Sequence, residues 1–105
     1  MAFGGNPVLG TLNSYTTSTW TTLFNASSGA TLITRVVIAV GANNINFQMQ
    51  ITNSAATSIA IIQPEIGINS STAVVWDDPI VLGSGDLLQV WADASGANFS
   101  AHGAQ

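Results

Sequence analysis

Residues 45–52 read Ile-Asn-Phe-Gln-Met-Gln-Ile-Thr, an unbroken alternation that sets Ile45, Phe47, Met49 and Ile51 on one face and Asn46, Gln48, Gln50 and Thr52 on the other. A period of two describes a strand with one face on a core and one face open, the pattern of an antiparallel sheet. No window carries apolar residues at i, i+3, i+4 and i+7 over three turns, so a helix has no apolar face to build on. Thr, Val, Ile, Asn and Gly are abundant where a helix would need Ala, Leu, Glu and Lys.

The rest of the 105-residue chain follows the same logic. Strands are expected over residues 19–25, 31–40, 57–63, 73–76, 80–82, 87–93 and 99–104, with turn residues about every 8–12 positions. The apolar run Val36-Val37-Ile38-Ala39-Val40 implies burial on both faces or contact with another subunit. Gly41-Ala42-Asn43-Asn44 is expected to close a hairpin, and Gly83-Ser84-Gly85 another. Pro64 ends regular pairing or marks an edge strand. About eight short strands with no room for a crossover helix exclude parallel βαβ folds. The expected architecture is therefore an all-β antiparallel sandwich over residues 19–105, with the jelly roll as candidate topology. Residues 1–18, rich in Gly, Asn, Ser and Thr, are expected to form an extended N-terminal arm outside the core.

Charge is scarce. Arg35 is the sole cation, against Glu65, Asp77, Asp78, Asp86 and Asp93, and charged residues make up 6% of the chain, where about 25% is usual. Neutralising phosphates takes several Lys or Arg, so electrostatic nucleic-acid binding is excluded. The absence of Cys removes disulfides, thiolate zinc sites, iron–sulfur clusters and thiol catalysis. The N-terminus lacks the basic and apolar regions of a signal peptide, and no stretch reaches the ~20 apolar residues of a membrane span. The expectation is a chain made inside the cell, not exported through a cleaved signal and without a membrane partner.

Catalytic chemistry finds little to use. His102 is the single histidine and shares a strand face with Ser100, but no G-x-S-x-G pattern or orienting acid accompanies it. Asp77 and Asp78 are adjacent, so on extended backbone their side chains diverge rather than converge on a substrate. Asp77, Asp78, Asp86 and Asp93 leave calcium ligation open, without the loop pattern that would sharpen it. Turn formation by Asp77 before Pro79 and by Asp86 after Gly85 accounts for these positions better. The N-x-[ST] matches at Asn25, Asn69 and Asn98 are what a chain rich in Asn, Ser and Thr produces by chance. No catalytic residue, cofactor or metal is assigned, and an enzyme is not expected.

Interfaces are the better reading. Trp91 has the parity of Gln89 and Asp93, opposite Leu88, Val90 and Ala92, which takes it off the core face. A subunit interface suits such a tryptophan first, the core second and a sugar-stacking platform third. Arg35, mid-strand, is expected to make one ion pair, within the chain or across an interface. With no lysine to guard its sheet edges, the chain is expected to cover them by symmetric assembly.

One resemblance adds to this reading. Thr22-Leu23-Phe24-Asn25, then Leu32-Ile33-Thr34-Arg35-Val36-Val37-Ile38, a strand ending Ile51-Thr52-Asn53, and Asp78-Pro79-Ile80-Val81-Leu82-Gly83-Ser84-Gly85-Asp86-Leu87-Leu88-Gln89-Val90-Trp91-Ala92 follow one another before a short closing strand. This order resembles small β-sandwich virion proteins of tailed bacteriophages, in which a P-I-V-L-x-x-G-D-x-L-x-V-x-A stretch recurs near the C-terminus. The resemblance spans residues 20–104 and carries no catalytic motif. It implies a capsid decoration (cement) protein made in the host cytoplasm, bound to the major capsid protein on the outer surface of the virion as a homo-oligomer, three copies being favoured. Phe3, Tyr15, Trp20, Arg35 and Trp91 are the expected interface residues, with the arm as a strap whose deletion (residues 2–12) would leave the fold intact. The alternative is a neck, tail or fibre component, or a carbohydrate-binding sandwich using Trp76 or Trp91.

Overall fold

The computed structural model describes residues 8–12, 18–55 and 57–104, the side chains of residues 58, 59 and 63–65 excepted. These residues contain no helix and form nine strands: β1 Val8–Leu12, β2 Thr21–Asn25, β3 Thr31–Ala39, β4 Ile45–Thr52, β5 Ser58–Ile68, β6 Ala73–Trp76, β7 Ile80–Leu82, β8 Leu87–Ala92 and β9 Asn98–Ala104. One sheet has the order β1-β9-β3-β6, with β7 also on β3, and the other β2-β8-β4-β5. Every pairing is antiparallel.

β6 pairs with residues 36–39 of β3 and β7 with residues 31–33 of the same strand. The two therefore occupy one strand position, interrupted at Asp77, Asp78 and Pro79. Counted so, eight strand positions fill two four-stranded sheets, and the chain changes sheet at nearly every connection. This is the double Greek key of a jelly roll.

That topology corrects two local readings. β3 and β4 lie in different sheets, so Gly41-Ala42-Asn43-Asn44 is a crossing between sheets and not a hairpin. Gly83-Ser84-Gly85 likewise leads from β7 in one sheet to β8 in the other. The true hairpin joins β4 to β5, where the Asn53 side-chain oxygen accepts from the backbone N–H groups of Ala55 (2.9 Å) and Thr57 (3.0 Å). An Asx turn of this kind satisfies backbone donors that would otherwise go unpaired. Alternation says which face a residue occupies; it does not say which strand lies beside it.

The arm is also corrected in part. Val8–Leu12 is β1, hydrogen-bonded to β9, and Leu9 and Leu12 pack against the core. Deletion of residues 2–12 would strip this edge strand, so it does not separate capsid binding from folding. Residues 1–7 and 13–17, with Phe3 and Tyr15, lie outside the described residues.

The inner faces meet in one core. Ile33, Val36, Ile38, Leu82, Phe99 and Ala101 come from the first sheet, and Leu23, Phe47, Met49, Leu88, Val90 and Ala92 from the second. Each large side chain so buried stabilises the fold by about 1.5–3 kcal/mol. A bulge between Ile33 and Arg35 shifts the parity of β3, which lets Ile33, Val36 and Ile38 all face inward. Val37 and Ala39 then lie outward and half-buried, so the apolar run of β3 is not buried on both faces within the monomer.

The two open sides of the sandwich differ. Where β1 passes β2, a Cβ at Gly10 would collide with the Leu23 carbonyl oxygen, and only glycine permits that approach. At the opposite side, between β5 and β6, a cavity of about 340 Å³ remains, walled by Phe47, Ile66, Ile68, Val74 and Trp76.

Candidate functional site

The outer face of the five-stranded sheet is built by cross-strand pairs. Leu32 lies opposite Val81, and Val37 opposite Val75. Arg35 lies opposite His102, which in turn lies opposite Val8. Inward neighbours on these strands, Val36, Ile38, Ile80 and Leu82, are buried, so the pleat drives their alternates into solvent. Val8 is 56%, Val75 54%, Val81 71% and Leu32 40% exposed. Leu32 beside Val81 and Val37 beside Val75 give this face two apolar pairs, with Val8 apart from them on β1, exposed apolar groups of the kind that mark an interaction surface.

Polar groups run between these apolar residues. Continuing the β3–β6 register by one residue sets Asp77 opposite Arg35. Arg35, Asp77 and Asp78 are all exposed, and no ion pair joins Arg35 to a described carboxylate. The pair expected for Arg35 within the chain is thus not made among the described residues. His102 is half-buried, with Ser100 Oγ 3.0 Å from its Nε2. Its backbone carbonyl accepts from Thr34 Oγ1 at 3.2 Å. Among the described residues no acid is hydrogen-bonded to the imidazole. Among the described residues no group of three or more His, Asp or Glu is arranged to hold a metal ion.

On the outer face of the four-stranded sheet, Trp91 is half-buried and lies opposite Gln48, off the core as its parity requires. Extending the β2–β8 register by one residue sets Trp20 opposite Trp91. In the next row Gln50 Nε2 donates to Gln89 Oε1 at 3.0 Å, and Gln89 Nε2 donates to Thr22 Oγ1 at 3.3 Å. This amide ladder satisfies two polar side chains that are each only 8% exposed. Trp76 differs from Trp91: it has the inward parity of Val74, packs against the core and lines the cavity between β5 and β6.

The acids at the sandwich ends are structural. Asp86 accepts from the Gly83 backbone N–H at 2.9 Å, as its turn position led us to expect. Asp93 accepts from the backbone N–H and the Nδ2 of Asn46, both at 2.7 Å. These bonds, the backbone one first, hold its carboxyl below the usual carboxylate range. The folded-state value lies below the unfolded one, so this contribution to stability is present above the unfolded value of 3.8 and is lost as pH falls through the lowered folded value. In thermal melts from pH 6 to pH 2, wild type is expected to lose more stability than Asp93→Asn, with the two curves converging at the acid end.

Sequence reasoning placed Trp91 off the core face and named Arg35 as an interface residue without assigning it a face, but missed Val8, Val75 and Val81. The signal was present at two of them: Val75 alternates with Val74 and Trp76, and Val81 with Ile80 and Leu82. No family model, curated protein or solved structure matches the chain.

Proposed function

We propose that this protein is a virion structural protein of a tailed bacteriophage, a capsid decoration protein that binds the outer capsid surface as a homo-oligomer and stabilises the shell. The observation that carries the reading is the exposed apolar face of the five-stranded sheet, with Val8, Leu32, Val75 and Val81 in solvent. A face of β-branched and Leu side chains loses unfavourable hydration when another protein covers it. The jelly-roll order of the strands supports the same reading, since this architecture recurs in viral capsid domains. So does the near absence of charge, which suits a chain whose faces are covered in an assembly.

Purified protein mixed with bare phage capsids is expected to co-sediment in stoichiometric number and to raise the temperature at which the capsids rupture. Protein left wholly in the supernatant would overturn the proposal. A second reading, a glycan-binding module of a tail or fibre, is favoured by the register that sets Trp20 opposite Trp91. It predicts glycan-array binding that Trp91→Ala abolishes.

A further inference from the structure

We propose that the outer face of the five-stranded sheet pairs with the same face of a second copy about a two-fold axis parallel to the strands. The inference rests on the homo-oligomer of the preceding section, names its contact and symmetry, and puts two copies in place of the three that the resemblance favours. It rests on the order of residues along two neighbouring strand positions. Down β3 the outward residues run Leu32, Arg35, Val37; along the strand position of β6 and β7 Val81 lies opposite Leu32 and Val75 opposite Val37, and Asp77, the exposed residue directly after β6, follows Trp76, whose partner Val36 adjoins Arg35. Each row joins like to like at its ends and a cation to an anion at its centre.

A two-fold axis lying in the interface, parallel to the strands and midway between β3 and the β6/β7 position, exchanges the two positions and leaves the distance along the strands unchanged. β3 of one copy then lies over β6 and β7 of the other. Leu32 meets Val81, Val37 meets Val75, and Arg35 meets Asp77, each contact occurring twice. The sole cation of the chain is exposed and unpaired with any described carboxylate, and so supplies the charge complementarity. Axes perpendicular to the strands instead bring Leu32 toward Val37 or Val75 rows and leave no such pairing of every row with itself. Pairing through β3 and the β6/β7 position leaves Val8, on β1 at the far edge of the same face, and the outer face of the other sheet, with Trp20, Trp91 and Gln48, open for the capsid.

The test is charge exchange between copies, read as solution mass by light scattering. Wild type is expected at twice the 10.8 kDa of one chain. Arg35→Asp sets acid against acid, and Asp77→Arg sets base against base, so each variant alone is expected to self-associate at least tenfold more weakly. An equimolar mixture of the two restores both contacts, and the mass returns to that of a dimer. An effect within one chain would not be rescued by a second chain. Circular dichroism confirms that each exposed-site variant is folded, and Asp77→Lys replaces Asp77→Arg if that variant is not. A wild-type monomer or trimer, variants that remain dimers, or a mixture that stays monomeric would each overturn the pairing. Co-sedimentation with capsids is scored separately, so the pairing and the capsid reading can fail independently.

Discussion

Gly103→Ala is expected to lower the melting temperature by roughly 12–24 °C, the largest effect of any Gly→Ala substitution among the described residues. Gly103 faces inward on β9 opposite Ile33, and a Cβ there would collide with the Leu32 carbonyl group and crowd the Ile33 Cα. Those are backbone atoms, so no side-chain rotation relieves the clash. β9 would have to withdraw from β3 at the bulge between Ile33 and Arg35, losing ladder hydrogen bonds in the middle of the sheet. Overpacking of this sort costs about 3 kcal/mol, and a domain of this size loses about 4–8 °C per kcal/mol. Ala104→Ser, one residue on but exposed, is expected within about 0.5 kcal/mol of wild type. Urea or thermal melts of the two variants check both statements; a Gly103→Ala protein as stable as wild type would mean that β3 and β9 do not approach as described.

Gly103 also shows what the sequence could and could not tell. The alternation in residues 45–52 and 99–104 made the strands and their faces legible, because the pleat leaves a period of two in the residues themselves. The parity that moved Trp91 off the core came from the same source, as did the turn role of Asp86. The close approach at Gly103 depends on a bulge in a strand some 70 residues earlier, and nothing local to either segment announces it. Partner choice was illegible for the same reason. Gly41-Ala42-Asn43-Asn44 has the composition of a hairpin turn, yet it carries the chain between sheets, where Ser71 N–H bonds to the Gly41 carbonyl and Ser70 N–H to the Asn44 side chain. β1 escaped notice because the composition of its surroundings outweighed five residues of strand. The apolar patch was half-visible: each of Val75 and Val81 has outward parity, but only the pairing of β6 and β7 with β3 brings them onto one face with Leu32.

Val81→Asp is expected to dissociate the proposed dimer by on the order of 100-fold while leaving the monomer folded. Val81 is 71% exposed and sits on β7 at the edge of the sheet, so within one chain its carboxylate would stay in water. Its cost to folding is that of a poor strand residue, at most about 1 kcal/mol. In the two-fold pairing the same side chain faces Leu32 of the other copy, and the axis brings the substitution in twice. A carboxylate closed between apolar side chains either remains charged without a partner or takes up a proton, and both are unfavourable at neutral pH. About 3 kcal/mol of lost affinity corresponds to the stated factor. Val81→Ala removes apolar area without adding charge and is expected to weaken association tenfold at most. Sedimentation equilibrium of wild type and both variants, beside their melting curves, separates the cases. If Val81→Asp associates as wild type does, this face is not the contact between copies. If it dissociates and also leaves the capsid, capsid binding uses this face, either directly or through the dimer, in which two copies engaging neighbouring capsid subunits hold far more tightly than one.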